Sequence, residues 1–362
     1  MAAVVSLAFY KFVRIANPEQ VADAFRTFCG EIGIKGTLIF AHEGLNGSLA
    51  GSPEAAEAFV NFCKNNDRFA AIDFKLSHSN VQPFRRMLVK IKPEIVTMGK
   101  ENINPEHFSG KYVRPLELQN WLQSGVDLLL VDTRNDYEVR LGTFENAIDP
   151  QIKTFRTFPD WVEKNLAGKK EARIVTFCTG GIRCEKATAY MRQQGFEDVY
   201  QLEGGILKYF EETQKNAALS HPDDEVVLDS NSCSASTATA APFTTQLRTH
   251  YRGDCFVFDY RVAVDQNLQK TSHEICFACW QPLTPEERNS PLYEFEISCP
   301  HCATSQQKKA AALRQKQMAN NQRALLRRQE RSAKAKEQRK QLSQNRSRPP
   351  ETAAPSNPNA GT

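Results

Sequence analysis

Cys178 opens the run Cys178-Thr179-Gly180-Gly181-Ile182-Arg183-Cys184-Glu185, directly behind the apolar stretch Arg173-Ile174-Val175-Thr176-Phe177. A β-branched run ending in cysteine, then two glycines, an arginine and helix formers from Glu185 to Gln194, reads as strand, tight loop and helix. The backbone N–H groups of such a loop and of the first turn of its helix converge on the sulfur. They stabilise a thiolate, or an anion bonded to it, as helix N-termini hold phosphates. Gly180 and Gly181 let the chain curl and bring amides close to an anion. Thr179 and Ile182 complete the ring, and Arg183 adds a fixed positive charge. The chemistry to expect is that of a reactive cysteine, with Cys184 beside it in a secondary, mainly packing role.

A second constellation is Cys276-Phe277-Ala278-Cys279 followed by Cys299-Pro300-His301-Cys302. Each C-x-x-C pair presents two thiolates from a tight turn, and two such turns complete a tetrahedron for zinc. Four thiolates leave no open position, so the expected zinc is structural. The intervening segment has little apolar content and would gain order from the metal. His273 and His301 are reserve ligands.

These sites need elements to position them. In residues 1–92 a strand-like Val4–Phe12 precedes Asn17-Pro18-Glu19-Gln20, which supplies an N-cap and a proline for the first helical turn. Apolar Val21, Ala24, Phe25, Phe28 and Ile32 follow at helical spacing. Gly36–Phe40 and Ser48–Ala50 flank a turn-rich Glu43-Gly44-Leu45-Asn46-Gly47, in which His42 and Glu43 are read as turn-stabilising. Ser52-Pro53-Glu54 starts a second helix to about Asn65, and Ile72–Leu76 and Met87–Ile91 complete the sheet. The order βαββαβ predicts a ferredoxin-like α+β sandwich, with Cys29 and Cys63 on buried helical faces. Residues 93–112 read as a linker.

Residues 113–215 alternate helix and strand: Pro115–Ser124, Asp127–Asp132, Phe158–Asn165, Ile174–Phe177, Glu185–Gln194, Val199–Leu202 and Ile206–Glu211. Alternation of this kind predicts a parallel α/β sheet with its site at the carboxyl ends of the strands, where Cys178 falls. Asp132, Arg134 and Glu138 are expected to fix the sheet edge and neighbouring loops. Residues 216–250 read as a linker and 251–305 as the cysteine-rich module. The fold class is thus α/β multidomain.

The net charge of +4 conceals an asymmetry. Residues 303–362 hold 14 Lys+Arg against 3 Asp+Glu, a net of +11, leaving −7 on the rest. The tail, 306–362, is rich in Ala, Gln, Lys and Arg without a continuous apolar stripe, so it is expected to be disordered or a solvated helix. Such a run suits phosphate backbones. Within the body, Arg85, Arg86, Lys90 and Lys92 form the densest positive cluster and are candidate RNA contacts. No stretch approaches the roughly 18 uninterrupted apolar residues a membrane span requires, and the N-terminus lacks signal-peptide features. The ten cysteines are therefore expected in a reducing cytoplasm, serving metal binding or catalysis rather than disulfides.

Four residues between Cys178 and Arg183 make a loop that resembles that of rhodanese domains, which carry a persulfide on the cysteine. Leu130-Val131-Asp132-Thr133-Arg134-Asn135-Asp136-Tyr137-Glu138 and Leu202-Glu203-Gly204-Gly205-Ile206 also look like rhodanese signatures. Across roughly residues 1–302 the chain resembles the rhodanese-like tRNA uridine hydroxylases. The segments that carry this are Ala41-His42-Glu43-Gly44-Leu45-Asn46-Gly47-Ser48, Pro83-Phe84-Arg85-Arg86, Lys92-Pro93-Glu94-Ile95-Val96, Gly110-Lys111-Tyr112-Val113 and Phe256-Val257-Phe258-Asp259. The resemblance implies oxygen-dependent hydroxylation at C5 of the wobble uridine of tRNA, with molecular oxygen as co-substrate and Cys178 as the essential residue. Two departures stand out: Asp259-Tyr260-Arg261-Val262 where Asp-Glu-Arg is expected, and the long basic tail. The competing reading is a sulfurtransferase passing a Cys178 persulfide to an acceptor. The sequence holds no dinucleotide fingerprint, haem motif or two-histidine, one-carboxylate iron site, so an organic cofactor is not assigned, nor is an oligomeric state.

Overall fold

The computed structural model describes residues 4–219, 249–304, 309 and 312–327. The chain divides into two compact units, residues 1–275 with 282–285, and residues 276–281 with 286–362.

The first unit begins with β1 (Val4–Phe12), α1 (Pro18–Glu31), β2 (Lys35–Ala41), β3 (Gly44–Gly51), α2 (Pro53–Lys64), β4 (Lys75–Ser79) and β5 (Met87–Ile91). Both helices start where local chemistry dictates. Asn17 Oδ1 accepts the Gln20 N–H at 3.1 Å and Ser52 Oγ the Ala55 N–H at 3.2 Å, each ahead of a proline. The sheet runs β4-β1-β3-β2-β5, with β5 parallel to β2 and the other pairs antiparallel. Strand alternation sends Leu7, Phe9, Leu38, Phe40 and Leu49 toward the helices, where Phe25, Phe59, Cys29 and Cys63 close the core. Burial pushes both core thiols up to about 12, so they are inert. The opposite face carries Ala8, Tyr10, Thr37, Ile39, Asn46 and Ser48.

Two details differ from the sequence expectation. Only His42 and Glu43 turn; the strand resumes at Gly44, which pairs with Ala41. The glycines serve close approach instead: a Cβ at Gly44 would lie 2.0 Å from the Lys11 carbonyl, and one at Gly47 2.4 Å from the Phe9 ring. The fourth strand falls at β4, because Ile72 is drawn into the core beneath the helices.

The same unit continues with α3 (Pro105–Phe108), β6 (Lys111–Val113), α4 (Pro115–Gln123), β7 (Leu129–Asp132), α5 (Asp136–Val139) and β8 (Gly142–Phe144). Then come α6 (Phe158–Asn165), β9 (Ile174–Phe177), α7 (Ile182–Gln193), β10 (Val199–Leu202) and α8 (Gly205–Leu219). The sheet β6-β10-β9-β7 is parallel throughout, and every residue of β9 is buried, as a strand covered on both faces requires. Residues 251–275, expected to stand with the cysteine module, pack here instead. Tyr251–Gly253 pairs with β8, and Tyr251 joins Phe144, Tyr209 and Phe210 in the core.

In the second unit the two C-x-x-C turns come together, and residues 312–327 are helical with Leu313, Leu325 and Leu326 exposed. Residues 220–248 of the expected linker and most of the expected tail lie outside the described residues.

Candidate active site

Cys178 sits immediately beyond β9, at the carboxyl end of a central strand, and is fully buried. The chain reverses through Gly181, whose φ of +100° is a left-handed conformation open to glycine. Helix α7 begins at Ile182, three residues before the expected Glu185, so half the loop is already the first helical turn. This places unspent amides under the sulfur: the Gly181 N–H donates to Cys178 Sγ at 3.1 Å. Behind the loop, the Ile206 and Leu207 amides donate to the Cys178 and Thr179 carbonyls at 3.0 and 3.1 Å. That docking needs Gly205, where a Cβ would lie 2.5 Å from the Cys178 carbonyl and 2.8 Å from the Gly181 nitrogen.

Burial alone would push the Cys178 thiol up, but it titrates at about 5. The Cys184 thiol, the Arg183 charge and the Arg183 and Cys184 amides all favour the thiolate and outweigh desolvation. Burial and the Cys178 thiolate hold Cys184 in its protonated form, the form that can donate.

Arg183 is not the free cation that its place in the loop suggested. Its guanidinium is clamped to Glu138, with Nη1–Oε2 at 2.6 Å and Nη2–Oε1 at 2.7 Å, both side chains buried. The pair leaves a local dipole near the sulfur rather than a whole charge. Arg134 is likewise buried on Asp132, through Nε at 2.9 Å and Nη2 at 2.6 Å, and donates to the Gly142 carbonyl. Asp132, Arg134 and Glu138 thus brace the ends of the strands, each through a buried ion pair.

Cys178 borders a cleft of about 450 Å³. Its floor is Cys178, Thr179, Gly180 and Ile182; its roof is the helix-free face of the first sheet, including Ala8, Tyr10, Thr37 and Ser48; Val257–Asp259 and Arg261 close one side. The volume is in the range of small-ligand sites. Two buried clamps join roof to floor, and neither was legible in the sequence. Lys186 Nζ bridges Glu43 at 2.8 Å and Glu94 at 2.6 Å. Glu185 accepts from Tyr10 Oη at 3.1 Å, Tyr112 Oη at 2.7 Å and Gln201 Nε2 at 3.0 Å. Glu43 and His42 accordingly do more than shape a turn: Glu43 also accepts the Ile95 N–H, and His42 Nδ1 lies 3.0 Å from the Ile15 carbonyl.

Arg85, Arg86, Lys90 and Lys92 are all exposed, and none lines the cleft. Arg85 lies over the Tyr260 ring, 5.4 Å from its centroid.

In the second unit, the Cys276, Cys279, Cys299 and Cys302 sulfurs all lie within 4.8 Å of one another. Cys276–Cys302 is 3.9 Å, while Cys279–Cys299 and Cys299–Cys302 are 3.6 Å. A tetrahedral zinc about 2.3 Å from each thiolate requires sulfurs about 3.8 Å apart, and these three distances are close to that spacing. The reserve histidines are engaged elsewhere, His301 with Glu287 at 2.6 Å and His273 with Asp254 at 3.3 Å.

A strand-end thiolate in an amide-lined loop on a parallel sheet defines the rhodanese class, and a rhodanese-like domain is matched over residues 114–212. A UPF0176 acylphosphatase-like domain is matched over residues 4–95. The "tRNA uridine(34) hydroxylase" of Rhizobium leguminosarum bv. trifolii is 44% identical over 295 residues, which cover 82% of this chain and 85% of the relative. The chain therefore belongs to the tRNA uridine(34) hydroxylase family. Among solved structures, a rhodanese-like domain protein of Staphylococcus aureus is 29% identical over 27% of this chain and 90% of its own, with a TM-score of 0.24. A single-domain sulfurtransferase of Saccharomyces cerevisiae is 17% identical over 29% and 93%, with a TM-score of 0.25.

Proposed function

We propose that this protein hydroxylates uridine 34, the wobble nucleoside of tRNA, at C5, with Cys178 as the catalytic residue. The observation that carries the reading is a buried thiolate bordering a cleft of about 450 Å³, large enough to admit a nucleotide, in a chain 44% identical to a tRNA uridine(34) hydroxylase. C5 of uracil is a poor nucleophile until C6 is substituted. The Cys178 thiolate can supply that activation: an S–C6 bond forms, the C5=C6 electron pair moves toward the C4 carbonyl, and C5 becomes enolate-like. C5 then adds to molecular oxygen to give a C5 hydroperoxide; an external two-electron donor, such as a pair of thiols, cleaves its O–O bond, leaving one oxygen on C5 as hydroxyl and releasing the other as water. Loss of the C5 proton then restores the double bond and expels the thiolate. The amides around Cys178 hold the sulfur as an anion before addition and as a leaving group afterwards.

Molecular oxygen is the proposed source of the inserted atom, and the cytoplasm, where tRNA and reduced thiols coincide, the proposed setting. The cysteine quartet would hold a structural zinc that orders its own unit, with no part in the chemistry.

The test is nucleoside mass analysis of tRNA from cells carrying the native gene or Cys178→Ser, with growth under isotopically labelled oxygen. The expected result is 5-hydroxyuridine that carries the label and disappears in the variant. Persistence of the nucleoside in Cys178→Ser refutes the role of the thiolate. Loss of a sulfur-containing nucleoside instead would establish the sulfurtransferase reading.

A further inference from the structure

Residues 256–262 reverse direction within a few residues: the Val257 N–H donates to the Val262 carbonyl at 2.9 Å and the Val262 N–H to the Asp259 carbonyl at 3.0 Å. Val262 takes a φ of +68°, a strained conformation for a β-branched residue and one that persists only where the surroundings enforce it. They do so from three sides. Asp259 grips the Arg261 amide at 2.9 Å and its guanidinium at 2.6 Å. Arg261 Nη1 reaches Ser77 Oγ on β4 at 2.7 Å, and the Tyr260 N–H donates to the Pro83 carbonyl at 3.3 Å. Thr179, from the reactive loop itself, donates to the Phe256 carbonyl at 3.3 Å.

So firmly held a corner nevertheless leaves two aromatic rings in solvent, Phe258 59% and Tyr260 54% exposed. Phe258 lines the cleft that contains Cys178. It stands edge-on to Phe256, centroids 5.1 Å apart at 85°, with the Arg183 guanidinium 5.8 Å from its centre. Tyr260 carries the Arg85 guanidinium, whose positive charge meets no carboxylate among the described residues. A fixed ring with a free face at a cleft mouth, followed by a second ring and a cation, is the arrangement that receives unstacked bases and the phosphates between them.

We infer that Phe258 and the Tyr260–Arg85 pair form a two-step stacking platform for single-stranded RNA. Phe258 takes the face of the uridine that swings out of its loop toward Cys178, and Tyr260–Arg85 takes the adjoining nucleotide. The inference rests on the proposed tRNA-modifying function.

The test measures binding of the full-length Cys178→Ser protein to a synthetic anticodon stem–loop carrying either uridine or an abasic site at the wobble position. Adding Phe258→Ala should weaken binding of the uridine RNA about 5- to 100-fold, the size of one base–aromatic stack, and leave the abasic RNA unaffected. Phe258→Trp should restore the difference, and Phe258→Leu, which keeps bulk but has no π-face, should not. Tyr260→Ala should weaken both RNAs. Equal affinities of Phe258→Ala and its parent for the uridine RNA, or an equal loss on both RNAs, overturns the inference. That outcome is separable from failure of the functional reading, in which 5-hydroxyuridine would persist in cells carrying only Cys178→Ser.

Discussion

Replacing Cys184 with alanine removes a neighbouring thiol that favours the Cys178 thiolate. A hydrogen bond to a charged group contributes about 1.5–3 kcal/mol, and one pKa unit corresponds to about 1.36 kcal/mol. The thiol that titrates at about 5 should therefore titrate at about 6–7 in Cys184→Ala. The consequence depends on pH. At pH 8 both proteins are almost wholly ionised, whereas at pH 6 the ionised share falls from about nine-tenths to between one-half and one-tenth. Thiolate absorbance, taken as the difference from Cys178→Ser at each pH, reads the midpoint directly.

Stability gives an independent check. The folded pKa lies below the ordinary value of 9.0, so the stabilisation is complete above pH 9 and is lost as pH falls through 5. At pH 7 about half of that window applies, roughly 3 kcal/mol relative to Cys178→Ser. Cys184→Ala should reduce the difference by about 1.5–3 kcal/mol in urea unfolding at pH 8–9. A midpoint unmoved by Cys184→Ala would show that this thiol is not the donor. Titration of Cys178 near 9 in the parent protein would refute the electrostatic account of the loop altogether.

Other perturbations probe the supports. Glu138→Gln keeps the shape but leaves Arg183 buried without its counter-charge, and should cost about 3–5 kcal/mol in urea unfolding. Pairing it with Arg183→Met should recover part of that, and a loss below about 1 kcal/mol would mean that the pair is not buried as described. Gly205→Ala forces a Cβ against the Cys178 carbonyl and the Gly181 nitrogen; it should raise the Cys178 midpoint and slow hydroxylation at least about tenfold, and native titration in this variant would argue against loop docking on α8. The purified protein should carry one zinc per chain by elemental analysis, lost in Cys299→Ser, and a full complement in that variant would dismiss the four-thiolate site.

What could be read from the residues alone was what local chemistry decides. The strand at Ile174–Phe177, the helix at Phe158–Asn165 and the caps at Asn17 and Ser52 follow from periodicity and capping, and the structure places them within a residue. The two C-x-x-C turns belong to the same class, because each pair of thiolates is positioned by a short turn of its own. Arg183 shows the limit. A cation next to a reactive cysteine invites a direct electrostatic role, which Arg183 has, and only the fold reveals that Glu138, far back in the chain, holds the same guanidinium and tempers that charge. Glu185 and Lys186 were still harder, since adjacent opposite charges in a helix usually mark a solvated face. Here α7 is buried almost along its whole length, and both charges survive burial only because partners from distant segments meet them.

Those two illegible residues explain why the N-terminal sheet matters to the chemistry. In this chain Lys186 grips the hairpin through Glu43 and the following segment through Glu94, while Glu185 takes Tyr10 from β1. Together they hold the sheet's helix-free face above the sulfur. That face carries Ala8, Thr37, Asn46 and Ser48 beside Tyr10 and Ile39, where the other face carries phenylalanines, and a cleft remains rather than a filled core. The same amide-lined loop thus gains a roof, and exclusion of water strengthens every dipole aimed at the sulfur. Under the function and the stacking platform proposed above, selection of a planar ring over a small anion belongs to the roof and to the corner carrying Phe258, not to the loop that ionises Cys178.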